Sequence, residues 1–202
     1  MSLKHLTIGV LLTVCSFVAL AAAQKNELSG IIGRTFISDQ GIPAAPSYDP
    51  NLHFGKGLTF EVNYARQVMG VELWSLALEV PFVVNADEHV NAYTNPFLGY
   101  HSYFVTPAAR LNLFPEQAVS PWVSFGGGFG YFSGSSGANP NTTGNATGVL
   151  QAGFGLDVKI YRNFRLRGEG REFWSGVPPL DVNTGKSRQY NLFAGGGIVW
   201  SF

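Results

Sequence analysis

Apolar and polar residues alternate along almost the whole of this chain, and a sustained period of two restricts it to β-structure. In residues 58–65, Leu58, Phe60, Val62 and Tyr64 lie on one face, and Thr59, Glu61, Asn63 and Ala65 on the other. In residues 74–82 the faces are Trp74, Leu76, Leu78, Val80 and Phe82 against Ser75, Ala77, Glu79 and Pro81. Residues 150–160 place Leu150, Ala152, Phe154, Leu156, Val158 and Ile160 opposite Gln151, Gly153, Gly155, Asp157 and Lys159. Eight such runs are predicted: 26–37, 58–68, 71–83, 100–114, 121–132, 148–160, 164–174 and 188–202. The first has open sidedness, because Leu28, Gly30, Ile32, Arg34 and Phe36 share a face.

The connections sort into two kinds. After the second, fourth and sixth runs they are two, six and three residues long (69–70, 115–120, 161–163). After the first, third, fifth and seventh they are 20, 16, 15 and 13 residues long (38–57, 84–99, 133–147, 175–187). Short turns at one end, long loops at the other and an even strand count describe an antiparallel up-and-down transmembrane β-barrel. A backbone in hydrocarbon must satisfy its hydrogen bonds internally, and closure removes the sheet edges. The expected arrangement is short turns and both mature termini in the periplasm, four long loops outside, one strand face toward lipid and the other toward a lumen.

Composition agrees with a surface that avoids water. Charged residues make up 13% of the 202, with 13 basic and 13 acidic, and aromatics make up 14%. An average soluble domain carries about 25% charge. Low charge with many aromatics excludes a disordered chain, and the absence of a basic excess excludes nucleic-acid binding through bulk charge. Lys4 and His5 precede an apolar run over residues 6–23 that ends Ala21-Ala22-Ala23. This reads as a secretory signal peptide over residues 1–23, followed by a barrel domain over 24–202. Its removal takes away Lys4 and the only cysteine, Cys15, leaving a mature charge of −1 and no disulfide.

Aromatic residues gather near strand ends, as interfacial girdles require: Tyr64, Trp74, Trp122 and Trp200 by the short turns, Tyr103, Tyr131 and Trp174 by the long loops. The last run puts Leu192, Ala194, Gly196, Ile198, Trp200 and Phe202 on one face. This closing strand with a terminal aromatic (Ile198, Trp200, Phe202) resembles the assembly signal of bacterial outer-membrane barrels. Residues 121–132, Pro-Trp-Val-Ser-Phe-Gly-Gly-Gly-Phe-Gly-Tyr-Phe, are similar to the glycine-aromatic strands of that group. At the level of architecture, the whole mature chain resembles the OmpA/OmpX/OmpW-type outer-membrane β-barrel superfamily. The resemblance implies fold and location, contact with outer-membrane lipid and lipopolysaccharide, and handling by the barrel-assembly machinery during biogenesis. It implies no single activity, because members include adhesins, narrow channels, structural anchors and lipid-A enzymes.

Eight strands enclose a lumen just wide enough for side chains to fill. The inward face carries Glu61, Glu79, Asp157 and Glu169 with Arg110, Lys159, Arg165, Arg167 and Arg171. Charges in so narrow a space must pair. The turn at 161–163 sets Asp157 opposite Arg167, and Lys159 opposite Arg165. A turn at 69–70 sets Glu61 opposite Glu79. Two facing carboxylates suggest acid–base chemistry, against the simpler reading that Arg110 or Arg171 neutralises both.

Other chemistry is sparse. His53, His89 and His101 fall on loops or at the rim. His101 and Ser102 are adjacent, so alternation sends them to opposite faces and a His-Ser nucleophile pair is not expected. Asp49, His53, Asp87, Glu88 and His89 read as solvated loop residues, and no metal or cofactor is expected. The sequons at Asn141 and Asn145 read as a flexible polar loop. The expected function is that of a monomeric, non-enzymatic envelope protein with a salt-bridged, plugged lumen, acting as a structural or surface-binding barrel. The alternatives are a narrow channel for a small or apolar solute and a lipid-A-modifying enzyme.

Overall fold

The computed structural model describes residues 25–43, 50–92, 95–134, 144–178 and 184–202. The predicted signal peptide lies outside the described residues, as do Asp49 and Asn141. The strands are β1 (Asn26–Ile37), β2 (Gln40–Gly41), β3 (Asn51–Phe54), β4 (Lys56–Gly70), β5 (Trp74–Ala92), β6 (Asn95–Val105), β7 (Ala108–Leu113), β8 (Val119–Gly134), β9 (Asn145–Tyr161), β10 (Phe164–Ser175) and β11 (Gln189–Ser201).

They form a closed antiparallel ring of eight staves. Its order is β1, β4, β5, β6 with β7, β8, β9, β10 and β11, and β11 pairs back onto β1. β6 and β7 are one stave interrupted at Thr106-Pro107, where proline has no N–H to give the ladder. Inward and outward alternation continues across the break: Phe104, Thr106, Ala108 and Arg110 are all buried. β2 and β3 make a small hairpin in the first long loop, joined to β5 by the pairs His53↔Asn91 and Phe54↔Val90.

Three features differ from the sequence expectation. The second turn lies at 71–73, not 69–70, and the ladder shifts between Gln67 and Met69. Glu61 therefore pairs with Val83, and Glu79 with Ala65, so the two carboxylates are not opposite each other. The segment 84–99 is not an open loop. β5 runs on to Ala92 and β6 begins at Asn95, so this hairpin stands above the rest of the ring. The third short turn is 162–163, one residue shorter than expected, and a register shift between Phe164 and Arg165 restores the expected pairs, Arg167 against Asp157 and Arg165 against Lys159.

The outside of the ring is apolar. Ile32, Val62, Leu78, Val123, Phe125, Phe154, Leu166 and Ile198 are exposed large hydrophobics on the outward face. β1 resolves its open sidedness the same way: Leu28, Ile32 and Phe36 point out, and Ser29, Ile31, Thr35 and Ile37 point in. Among the described residues no helix is long and apolar enough to cross a membrane. The strands do the crossing, with their apolar face as the lipid surface.

Candidate functional site

The lumen is filled in two layers of opposite chemistry. The layer nearer the short turns is charged. Arg171 on β10 is fully buried and serves three carboxylates from three strands. Its Nη1 donates to Glu79 Oε1 at 2.7 Å, and its Nε donates to Glu169 Oε1 at 2.9 Å. Glu61 Oε2 lies 3.0 Å from the same Nε, close enough for charge attraction. That nitrogen has one hydrogen, which goes to Glu169, and neither oxygen of Glu61 accepts a hydrogen bond among the described residues.

Arg110 on β7 lies between Glu79 (3.4 Å) and Glu27, which it contacts closely. Arg167 holds Asp157 in a two-pronged grip, Nε to Oδ1 and Nη2 to Oδ2, both 2.7 Å. Bidentate guanidinium–carboxylate pairs are the strong, directional kind. Glu27 also approaches Arg165 (3.7 Å) and Arg167 (3.6 Å), which ties β1 into the network.

Trp122 is a correction. The expectation put it in the girdle, but it is 2% exposed and points into the lumen. Three guanidinium carbons face its ring: Arg167 at 5.0 Å, Arg171 at 5.1 Å and Arg110 at 5.7 Å. Its Nε1 donates to Asp157 Oδ1 at 3.2 Å. An indole face attracts cations, most of all where water is excluded. Gly155, its partner on β9, makes room: a Cβ there would stand 2.5 Å from the ring. The signal was legible, because Trp122 shares its strand face with Ser120, Ser124, Gly126 and Gly128. The apolar outward face is Val119, Val123, Phe125 and Phe129.

The layer nearer the long loops is apolar, against the expectation of a polar interior throughout. Ile31, Val83, Val90, Phe104, Phe132, Val149, Phe173 and Phe193 are buried in one cluster. Phe104 and Phe173 stack at 4.8 Å, and Phe132 meets Phe104 edge-on at 6.0 Å. Leu52 of the β2–β3 hairpin is buried in the same cluster, with Ile42 and Phe54 packed against it. A polar belt runs beside this cap: Gln40 Nε2 donates to Gln189 Oε1, and Gln189 Nε2 donates to Tyr100 Oη and Asn191 Oδ1.

The remaining sequence candidates divide by face. Tyr64, Trp74 and Trp200 are exposed on the outside near the short turns. Tyr131 is exposed near the long loops, and Tyr103, half-buried, lies 6.4 Å from it, ring to ring. Trp174 is half-buried and pairs with the exposed Tyr190. Ile198, Trp200 and Phe202 are exposed, with the last two rings 4.6 Å apart. Among the described residues, outward charges that interrupt this wall include Arg34, whose Nη1 donates to the Lys56 carbonyl at 2.6 Å, the exposed Lys56 and Arg66 of β4, and the half-buried Glu172.

At the short-turn mouth, a polar vestibule of about 220 Å³ is lined by residues that include Lys25, Glu27, Glu116, Lys159 and Arg165. There the Lys25 ammonium, 2.6 Å from Glu116, holds that carboxyl below its ordinary pKa by hydrogen bonding and charge.

Ser102 is buried inside and His101 lies toward the outside with Nδ1 at the Ala86 carbonyl, so the two cannot act as nucleophile and base. His53 contacts Asp39 at 2.7 Å, and His89 contacts Asp87 at 3.4 Å on the exposed side. Glu88 is not the solvated loop residue expected. It is 1% exposed and points into the barrel.

No protein-family model matches the sequence, and no curated protein matches it. Solved structures do match. Neisserial surface protein A is 11% identical, with a TM-score of 0.52 over 89% of this chain and 97% of that one. The outer membrane protein OprG from Pseudomonas aeruginosa is 11% identical, with a TM-score of 0.51 over 89% and 96%. A major outer membrane protein from Thermus thermophilus is 13% identical, with a TM-score of 0.51 over 89% and 100%. This chain has the small bacterial outer-membrane β-barrel fold. In that fold, the apolar outer wall described above is the lipid surface.

Glu27 is a lumen residue that the sequence does not reveal, because the alternation of β1 is open to either reading. The apolar half of the lumen is hidden in the sequence, because an inward Phe on a strand carries the same period-two signal as an outward one.

Proposed function

We propose that this barrel is a closed, non-enzymatic protein of the bacterial outer membrane, acting as a structural element or surface-binding platform through its long loops. The observation that carries this is the double seal. The Arg110–Arg167–Arg171 network closes one half of the lumen, and the Phe104–Phe132–Phe173 cluster under the β2–β3 hairpin closes the other. The long loops face outward, the mature termini face the periplasm, and the barrel is a monomer. Lipid and lipopolysaccharide contact its apolar wall, and Ile198, Trp200 and Phe202 offer the assembly machinery an exposed apolar strand. The opposite orientation of His101 and Ser102 supports a barrel that does not modify lipid A.

Planar-bilayer recording is the test. The wild-type barrel is expected to show no steady openings. Truncating one layer alone, by Phe104→Ala with Phe173→Ala, should leave it closed, because the charged layer still spans the lumen. Steady wild-type openings would refute the closed barrel and favour the second reading, a narrow channel for an apolar solute, which the aromatic half of the lumen would suit. N-terminal sequencing of the protein from membranes is expected to begin at Gln24. A start at Met1 would remove the signal peptide from the account.

A further inference from the structure

Each buried carboxylate of the charged layer has a guanidinium beside it, and Glu88 has none. Glu61, Glu79 and Glu169 share Arg171, and Asp157 has Arg167. Glu88 is as buried as these, yet among the described residues no lysine, arginine or histidine nitrogen comes within ion-pair range of it. An ionised carboxylate out of water is costly unless it is paired or binds a metal.

The surroundings of Glu88 are rich in unmatched oxygens. Its Oε2 accepts from Asn85 Nδ2 at 2.8 Å and from the Gly57 backbone N–H at 3.2 Å. Its Oε1 has no hydrogen-bond partner, and neither do Asn85 Oδ1 and Ser102 Oγ, all buried. The fold brings these together. Residues three apart on a regular strand face opposite sides. The ladder irregularity between Asn85 and Glu88 turns both inward. Across β6, Ser102 is the register partner of Asn85, and Tyr100 that of Glu88. Gly57 permits this close approach: a Cβ there would meet Asn85 Oδ1 at 2.0 Å and Glu88 Oε2 at 2.6 Å.

We propose that Glu88, Asn85 and Ser102 form a binding site for a hard, oxygen-seeking divalent cation of the calcium type. A carboxylate, an amide carbonyl and a hydroxyl are the donor set such ions take, with water completing the shell. With no thiolate or imidazole in the set, the softer transition metals are disfavoured. One carboxylate makes the affinity low, in the range of about 0.1–1 mM that suits extracellular calcium sites. Gly55 N–H bonds the His89 carbonyl, and Gly57 N–H donates to Glu88 Oε2, so the ion would fasten the end of the β2–β3 hairpin to β5 and β6. It would hold the cap over the apolar layer. The site stands whether or not the barrel conducts.

The experiment uses the barrel purified from membranes in a zwitterionic detergent. Its heat-modifiability midpoint is followed in a calcium titration, with sodium at matched ionic strength as control. The wild type is expected to show a saturable upward shift, half-maximal at about 0.1–1 mM calcium, and Glu88→Gln should abolish it. Asp87→Asn should keep it, because Asp87 and His89 lie on the exposed side. Terbium luminescence excited through tyrosine gives a second readout: signal displaced by calcium in the wild type and absent from Glu88→Gln. Should Glu88→Gln fail to fold, Ser102→Ala is expected to weaken calcium about tenfold. A wild-type midpoint that calcium does not move beyond sodium, a shift that survives in Glu88→Gln, or an unchanged calcium response in Ser102→Ala overturns the proposal.

Discussion

Replacing Arg171 with methionine is expected to destabilise the barrel by about 3–5 kcal/mol, the cost of removing one partner from a buried ionic cluster. The loss should be at the upper end, because one guanidinium serves Glu61, Glu79 and Glu169, and all four side chains are sealed from water. Without it, three carboxylates from β4, β5 and β10 face one another across the lumen, and Glu79 alone among them keeps a salt-bridge partner among the described residues, Arg110 at 3.4 Å. Urea titration of folding into detergent micelles, read by tryptophan fluorescence, measures the change. The charge explanation makes a second demand. Adding Glu61→Gln, Glu79→Gln and Glu169→Gln to the Arg171→Met background should recover most of the loss, because no unpaired charge then remains. If the quadruple variant is as unstable as the single one, the loss came from packing around the guanidinium. By the same reasoning Glu61→Gln alone is expected to be neutral or stabilising, since Glu61 crowds a third carboxyl group onto one guanidinium and accepts no hydrogen bond in return.

The second large effect is expected at Trp122. Truncation to alanine should cost about 3–5 kcal/mol, as for other fully buried large aromatics. Three losses combine there: the volume of the indole, the cation–π faces offered to Arg110, Arg167 and Arg171, and the Nε1 hydrogen bond to Asp157. Trp122→Phe separates them. It keeps most of the volume and the ring face but removes the donor, so a cost of only about 1 kcal/mol is expected, the worth of one hydrogen bond. Girdle tryptophans give the contrast. Trp200→Ala removes a side chain that is already 43% exposed toward lipid, and a smaller loss is expected in the same titration. Equal losses at Trp122 and Trp200 would contradict the lumen position.

The strand runs, the eight-stave closure and the outward faces of β4, β5, β9 and β11 could be read because side-chain direction in a strand depends only on sequence parity. The Asp157–Arg167 pair could be read for a related reason: a short turn fixes the register of the two strands it joins, and the shift between Phe164 and Arg165 offsets a turn one residue shorter than expected. The Glu61–Glu79 pairing failed on the same rule. Placing the turn at 69–70, not 71–73, moved every partner along the ladder, and the shift between Gln67 and Met69 added to it. The burial of Glu88 is not legible, because nothing local announces that β5 continues to Ala92 or that an irregularity after Asn85 returns Glu88 to the inside.

The sequence by itself determined the architecture: period-two runs, loops sorted by length and an outer face nearly free of charge. These are local properties, and lipid enforces them one residue at a time. Only the tertiary structure decided the contents of the lumen. Which carboxylates share Arg171, why Trp122 lies beneath three guanidinium groups, and why Glu88 stands without a counter-ion all depend on side chains that meet across the ring from strands far apart in sequence. Closure brings them within reach, and the register of every intervening stave sets their heights, so no stretch of sequence short enough to read for its period contains that information.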